Sequence, residues 1–475
     1  MIGVFALVLG SMVVIHEFGH FIVAKLFGVR VEIFSVGMGK RLWGFKRGDT
    51  DYRLSLLPIG GYVKMAGENL DEQLTGAPDE FMSKPKWQRF CVAIAGPVMN
   101  IITAIAIPAT MAMISHQLPA YVNQPAVINV VAIGSAAEQA GLQRGDLIVS
   151  IDGLEDPNWQ EVEDRVLINP DQDIPVVVKR HGEIKNLTLR VASRQIEQEK
   201  IGDAGFQPFL GPDTKMIASS VNSGSPAEVA GLKAGDQITA INGMPVKLNE
   251  NPATDASNEK AFYSMGDVIR SIQNSNGQPL ALTVKRGDET LDLKATPNVE
   301  ADGKSRIGFA PQVKDIDAAV TQLSLPAAIK YSVEWNLRIV RLTAMAIGQI
   351  FSGQRSAGDT VTGPIGIFKL SGQAAEQGVR PVLELTAFLS LNLGVFNLLP
   401  IPVLDGGLIF MLALEALLGL FGMTLTLRVK ERMIQVGFVM LMLLMGFVIF
   451  NDISKLLPSR SAPQQVEQQQ PAANR

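Results

Sequence analysis

Residues 1–20 read MIGVFALVLGSMVVIHEFGH, an uncharged apolar run that ends in the motif His16-Glu17-Phe18-Gly19-His20. An apolar run of this length can cross the roughly 30 Å hydrocarbon core of a bilayer as a helix. It has neither a basic start nor a small-residue cleavage site. We therefore interpret residues 1–27 as a retained membrane-spanning helix and not as a secretion signal.

The motif places two histidines one helical turn apart, because successive residues of an α-helix are about 100° apart. Such a pair can hold one zinc ion, while the glutamate between them reaches a water on the metal. In a soluble helix the same residues could simply be exposed polar side chains. Inside hydrocarbon, however, ionisable groups are costly unless they share a function. We predict that His16 and His20 bind Zn²⁺ and that Glu17 is the catalytic base.

A catalytic zinc site needs a third protein ligand and one open coordination position. Residues 397–407 read NLLPIPVLDGG inside a second apolar region, and Asp405 is the candidate ligand there. The prolines and paired glycines interrupt helical structure, which is tolerated at membrane depth only where the backbone faces protein or water. The alternative is a kinked packing helix in which Asp405 only caps the break.

Four apolar stretches are long enough to cross a bilayer, and ordinary soluble composition separates the second from the third. They predict an α-helical polytopic membrane protein with four transmembrane helices, a membrane-associated β-element and a soluble insert. The predicted segments are spans at 1–27, 90–114, 383–421 and 433–452, a cytoplasmic or re-entrant β region at 28–89, an amphipathic membrane-surface helix at 326–351, and a disordered tail at 458–475.

Basic residues lie on one side of the predicted spans. Eight Lys and Arg residues occur between positions 25 and 64, and Arg428, Lys430 and Arg432 precede the last span. Because Lys and Arg resist translocation, this side is predicted to be cytoplasmic, with both termini and the soluble insert on the opposite side. The net charge of −4 gives no sign of a nucleic-acid partner.

The soluble insert contains an internal repeat. Residues 134–153 read GSAAEQAGLQRGDLIVSIDG and residues 224–243 read GSPAEVAGLKAGDQITAING, with identity at 12 of 20 positions. Each copy predicts a capped short helix that ends at Gly, then a turn into a strand. The repeat resembles the PDZ domains of bacterial envelope proteases. This implies two tandem domains of mixed α/β type, at 125–195 and 210–298, that bind extended peptides along a sheet edge. The alternative is a pair of rigid spacers that bind nothing.

Taken together, HEFGH, NLLPIPVLDGG and the tandem repeat resemble the site-2 protease family of intramembrane zinc metalloproteases over nearly the whole chain. The resemblance implies that His16, His20 and Asp405 are zinc ligands and that Glu17 is the catalytic carboxylate. It also implies that Asn397 places its amide near the substrate. The alternative role for this amide is a buried hydrogen bond between two helices. Asn392 is a further candidate for a residue that contacts substrate.

The resemblance implies a bacterial inner-membrane enzyme that cuts transmembrane segments of other proteins. The expected substrates are an anti-sigma factor already shortened by an earlier protease, in the envelope stress response, and remnant signal peptides. Residues 31–65 resemble the family's re-entrant β-element, whose edge could hold an unwound substrate as an added strand. Ordinary cytoplasmic hairpins are the alternative there.

Two other function classes compete with the protease. The first is a non-catalytic scaffold with a structural zinc, but a structural site would normally have four protein ligands. The second is an ion transporter, which the absence of a repeat of broken helices disfavours.

Overall fold

The computed structural model of the 475-residue chain describes residues 2–68, 75–196, 199–252, 260–300, 303–314, 318–423 and 425–456. The tail predicted at 458–475 lies outside these residues. The chain divides into two compact units. We call residues 1–113 with 324–475 the helical unit, and residues 114–323 the repeat unit.

The described residues form twelve α-helices and twenty β-strands. The helices are α1 (Ile2–Leu26), α2 (Lys86–Ile114), α3 (Ala136–Gln139), α4 (Trp159–Ile168), α5 (Pro226–Val229), α6 (Met265–Gln273), α7 (Leu325–Phe351), α8 (Ala357–Thr360), α9 (Pro364–Gln377), α10 (Val379–Asn397), α11 (Asp405–Leu420) and α12 (Leu427–Leu456). The strands are β1 (Val31–Arg47), β2 (Thr50–Met65), β3 (His116–Pro119), β4 (Val130–Val131), β5 (Leu147–Ile151), β6 (Leu154–Glu155), β7 (Asp173–Arg180), β8 (Glu183–Arg190), β9 (Ala192–Ile196), β10 (Glu199–Asp203), β11 (Phe206–Gln207), β12 (Lys215–Val221), β13 (Gln237–Ile241), β14 (Met244–Pro245), β15 (Leu280–Arg286), β16 (Glu289–Ala295), β17 (Asn298–Val299), β18 (Ser305–Arg306), β19 (Phe309–Lys314) and β20 (Ala318–Thr321).

Within the described residues, four helical segments are long and apolar enough to cross a membrane. They are Gly3–Leu26, Lys86–Ile114, Val379–Asn397 and Arg428–Lys455. Each overlaps one of the four predicted spans. The last two extend beyond the predicted beginnings at 383 and 433, because their first turns contain charged residues that the apolar runs do not include.

The region predicted as a span at 383–421 contains the helix break that its prolines and glycines indicate. The region consists of two helices, α10 and α11, separated by residues 398–404. Pro400 and Pro402 lack the backbone N–H that would continue a helix, and Val403 has a positive φ of 98°. The start of α11 then folds back closely on this segment, because a Cβ on Gly406 would lie 2.2 Å from the Leu399 carbonyl oxygen. The break is what places Asp405 at the beginning of a helix.

The β region of the helical unit is two long bent strands, where the sequence predicts several short ones. At the tip Arg47 pairs with Thr50, and near the base Ile33 pairs with both Lys64 and Asp51. The β1 segment 33–36 therefore lies between two segments of β2. Both strands pack against α1, so the β region borders the helix that carries the histidine motif.

The predicted surface helix at 326–351 is α7, and it is fixed to α2 by side-chain hydrogen bonds. Pro108 cannot donate to the carbonyl of Ala104, and Asn336 Nδ2 donates to that oxygen at 3.0 Å. Ser332 Oγ donates to the next carbonyl, that of Ile105, at 2.7 Å. The side of α7 that carries Ser332 and Asn336 therefore packs against α2, and Lys330 and Glu334 stay exposed. A location at the membrane surface stays a prediction.

The repeat unit has two separate hydrophobic cores, one for each copy of the repeat. In each copy a serine caps the short helix, since Ser135 Oγ accepts from the Glu138 N–H and Ser225 Oγ from the Glu228 N–H. The first sheet has the strand order β6-β5-β7-β8, and the second has β16-β15-β13-β12-β19. The two copies therefore form similar domains of mixed α/β structure.

Both domains extend beyond the predicted ends at 195 and 298. In the first, β11 pairs with β4, and in the second, β19 pairs with β12. These closing strands follow the pairs β9–β10 and β17–β18, which have no counterpart in the repeated motif. An ion pair between a buried aspartate and a partly exposed arginine supports each domain, Asp146 with Arg180 in the first and Asp236 with Arg286 in the second.

Candidate metal centre

His16 and His20 lie on one face of α1 and are buried in the helical unit, with 6% and 8% of their surfaces exposed. Their Nε2 atoms are 3.2 Å apart. The i, i+4 spacing has therefore brought the two imidazoles to a common point, as the motif predicts.

Asp405, the first residue of α11, reaches the same point. Its Oδ2 lies 3.0 Å from His16 Nε2, and its Oδ1 lies 3.4 Å from His20 Nε2. Ligand atoms of all three residues lie within 4.8 Å of one another. The structure thus brings together the three predicted ligands, although 385 residues of sequence separate His20 from Asp405.

The outer nitrogen of each imidazole has a partner on α2. His20 Nδ1 lies 2.8 Å from the carbonyl oxygen of Val92, so the N–H is on Nδ1 and Nε2 is free to bind a metal. His16 Nδ1 lies 3.1 Å from the side-chain amide of Asn100, which is completely buried. Partners of this kind fix the orientation and tautomer of histidine ligands in metal sites.

Gly96 leaves the space in which an ion can lie between the imidazoles. A Cβ at this position would be 2.3 Å from His20 Nε2 and 2.8 Å from His16 Nε2. Gly19 has a related role on α1, since a Cβ there would lie 2.3 Å from the carbonyl oxygen of Ala95. The two glycines allow α1 and α2 to approach closely at the level of the motif.

Glu17 points to the β region. Its Oε2 accepts a hydrogen bond of 3.0 Å from the Val63 N–H of β2. It lines a cavity of about 330 Å³ together with both histidines and Asp405. Glu17 therefore places a carboxylate in the same cavity as the three predicted ligands without being one of them.

The two candidate substrate residues have different positions. Asn397, the last residue of α10, lines the cavity and has its Nδ2 atom 3.3 Å from His16 Nε2. Asn392 does not line it, and its Nδ2 donates to the Phe388 carbonyl of its own helix at 2.9 Å. Five residues turn a helix by about 140°, so Asn392 and Asn397 lie on different sides of α10, and a contact between Asn392 and substrate stays a prediction.

Gly96, Asn100 and the Val63 N–H are site groups that the sequence did not assign. The first two were visible in residues 96–100, which read GPVMN, but a kink or ordinary packing explains that pattern equally well. The Val63 group is a backbone N–H, for which the sequence contains no signal.

The donor set fits zinc. Two neutral imidazoles and one carboxylate are common zinc ligands, and three protein ligands with an adjacent free glutamate correspond to a catalytic site. The arrangement defines a class of protein, the zinc metalloproteases whose centre lies among helices that are long and apolar enough to cross a membrane.

The chain belongs to peptidase family M50, whose family model matches residues 4–444. It is similar to the regulator of sigma-E protease RseP of Salmonella typhimurium, with 33% identity over 475 residues that cover 95% of this chain and 98% of the relative. It is similar to the RseP protein of Escherichia coli K12, with 31% identity over 471 residues and the same coverage. Protease RseP of Yersinia pestis is 32% identical over 474 residues. The protein is thus a bacterial zinc metalloprotease of the membrane.

Proposed function

We propose that this protein is a site-2 protease that hydrolyses peptide bonds inside transmembrane segments of other membrane proteins. The observation that carries the proposal is the position of the metal centre. His16 and His20 lie on α1, their outer partners lie on α2, and Asn397 ends α10. All three helices are long and apolar enough to cross a membrane. A centre held by such helices acts on substrates that lie in the bilayer.

The chain's own residues supply binding and proton transfer. Bound zinc supplies an activated water and polarises the scissile carbonyl. Glu17 accepts the proton of the attacking water and passes it to the leaving nitrogen. The Asn397 amide lies 3.3 Å from His16 Nε2. It donates a hydrogen bond to the substrate carbonyl oxygen as negative charge develops on that oxygen.

A transmembrane substrate must be unwound before it can be cut, because its helical hydrogen bonds shield its peptide bonds. We propose that β2 supplies replacement partners by binding the unwound segment as an added strand. The contact between the Val63 N–H and Glu17 supports this step, since it places strand backbone next to the catalytic carboxylate.

The test is cleavage of a model transmembrane substrate by purified full-length protein in detergent, with and without a zinc chelator. Glu17→Gln should bind zinc and fold normally but lose cleavage, because an amide cannot accept the proton; a loss of at least about 100-fold is expected for a general base. Substantial residual cleavage by this variant would remove Glu17 from its role. Cleavage that resists the chelator would remove the metal.

For the substrates, we propose an anti-sigma factor already trimmed by another protease, together with remnant signal peptides. The names of the relatives as regulators of sigma-E support the first of these. We further propose that the protein lies in the inner membrane with both termini and the repeat unit on the periplasmic side. The basic residues near 25–64 and 428–432 support this orientation.

We propose that the two repeat domains are PDZ domains that select substrates. In the second domain β19 is at one end of the sheet and packs against α6, which is the arrangement of a groove for an added strand. Deletion of 125–314, which removes both domains with their closing strands and is bridged by a flexible linker, separates two modes of selection. A gate predicts that the variant cuts an untrimmed substrate that the whole protein rejects. A capture device predicts slower cleavage of trimmed substrate and no cleavage of the untrimmed one.

A further inference from the structure

A second cavity, of about 570 Å³, adjoins the metal cavity in the helical unit. Its walls come from the first turn of α2, the break before α11, α11 itself and α12. Six residues line both cavities: Glu68, Phe81, Val403, Leu404, Asp405 and Leu408. A molecule that forms at the metal centre therefore has direct access to the second cavity.

Most of the second cavity's wall is apolar, with Met411, Leu412, Ile434, Phe438 and Val439 contributed by α11 and α12. A cavity of this kind accepts apolar side chains, such as those of a transmembrane segment.

Arg89 is a buried cation in this wall. The residue is 9% exposed, and its guanidinium lies 5.8 Å from the ring centre of Phe81. Among the described residues, the buried Nε atom of Arg89 has no hydrogen-bond partner. A buried N–H without a partner costs about 1–3 kcal/mol, and more when the group is charged.

The carboxylates that line the cavity have other partners. Glu415 contacts Lys430 and lies 3.9 Å from Lys86, and Glu68 accepts a hydrogen bond from the Met65 N–H. Asp405 lies beside the two histidines. The described contacts therefore leave the Arg89 Nε–H without an acceptor, and a bound anion would supply one.

We propose that this cavity holds the carboxylate-bearing product of the cleavage reaction, with Arg89 binding the new terminal carboxylate. The inference rests on the proposed function. Hydrolysis breaks the C–N bond and adds water across it, so that the acyl carbon becomes a carboxylate and the nitrogen leaves as an amine. The carboxylate fragment has two parts that match the cavity. Its apolar side chains fit the apolar walls, and its terminal carboxylate can pair with the Arg89 guanidinium. Arg89 thereby draws the product away from the zinc ligands and clears the centre for the next substrate.

The experiment measures binding and not catalysis, so that it succeeds or fails independently of the proposed function. The probes are two apolar hexapeptides of one sequence, one with a free terminal carboxylate and one with a terminal amide. They are titrated into purified full-length protein in neutral detergent after treatment with a zinc chelator, because zinc itself binds carboxylates. We expect at least about tenfold tighter binding of the acid, as for a charge-assisted pair.

Two variants assign the preference to Arg89. Arg89→Met keeps much of the side-chain volume, removes the charge and should bind acid and amide equally. Arg89→Lys retains a charge and should keep part of the preference, which gives a second reading if the methionine variant does not fold. The matched control is Arg432→Met, a basic residue of α12 that does not line the cavity. It should behave as the unmodified protein does.

Three outcomes would overturn the proposal. They are equal affinity of acid and amide for the unmodified protein, a preference that survives in Arg89→Met, and a preference lost equally in the Arg432→Met control. A phospholipid is the other source of an anion on an apolar chain, so the titration is repeated with added phosphatidylglycerol or phosphatidylcholine. An unchanged preference supports the peptide product, whereas its loss with phosphatidylglycerol alone identifies a lipid site and rejects the product.

Discussion

Replacement of Asn100 should weaken zinc binding although Asn100 is not a ligand. Its amide lies 3.1 Å from His16 Nδ1, and its Oδ1 has no hydrogen-bond partner among the described residues. When His16 binds zinc through Nε2, the imidazole carries its hydrogen on Nδ1, and that N–H needs an acceptor. A rotation of the Asn100 side-chain amide by 180° places Oδ1 beside His16 Nδ1 and pairs these two atoms. Such a rotation fits the structure equally well, because the oxygen and nitrogen of an amide are told apart by their hydrogen bonds.

The size of the effect follows from burial. Asn100 is 0% exposed, so no water replaces the amide when Asn100→Leu removes it, and the His16 N–H stays unsatisfied. Loss of such an outer partner typically lowers metal affinity about 10- to 100-fold, which is about 1.4–2.8 kcal/mol. We expect a decrease in that range for Asn100→Leu and near-normal affinity for Asn100→Asp, which keeps an acceptor.

Zinc affinity is measured by competition with a chromogenic chelator on purified protein, and the His16 tautomer by ¹⁵N NMR. Thr103→Val is the matched control, because Thr103 lies on the same helix and its hydroxyl bonds only to the Met99 carbonyl in the described contacts. Unchanged zinc affinity in Asn100→Leu, or an equal loss in Thr103→Val, would refute the reasoning.

Two further predictions concern the third ligand and the second repeat domain. Asp405→Ala should lower zinc content as well as activity, because two imidazoles alone hold the ion weakly; full zinc content by elemental analysis with intact activity would place the third ligand elsewhere. Hydrogen bonds from the Arg286 guanidinium hold the pKa of Asp236 below its ordinary value of 3.8, so its ion pair stabilises the domain above that pH and the contribution disappears as the pH falls below it. Asp236→Asn should lower the free energy of unfolding of this domain at neutral pH, read from hydrogen exchange of β13 and β15, and a difference that persists undiminished at pH 2 would contradict this assignment.

Local patterns in the sequence identified the parts of the site that depend on local geometry. The spacing of His16 and His20 dictates a shared helix face, and the structure places both rings at one point. The prolines and glycines of 397–407 indicated a break, and the break is where Asp405 joins the histidines. Asn392 lies on the same continuous helix as Asn397, Val379–Asn397, and its contact with substrate stays a prediction.

Contacts between segments that are distant in the chain could not be predicted from the sequence. Asn100 could be a site residue or a packing residue until α2 is placed against α1, and only the fold decides this. The close approach depends on Gly19 and Gly96, whose missing side chains leave no positive signal in one sequence. Arg89 likewise precedes the predicted span at 90–114, as Lys84 and Lys86 do, and only its burial distinguishes it from these two residues.

The contacts that hold the metal ligands all lie in the helical unit. His20 is oriented by Val92, His16 by Asn100, and Asp405 by the break that joins α10 to α11. The repeat domains, in turn, close their cores with their own strands. Zinc binding should therefore not depend on the repeat unit, and a variant without 125–314 should retain its zinc. Any change in its cleavage pattern then reports substrate selection, because the chemistry and the selection are built from separate parts of the chain.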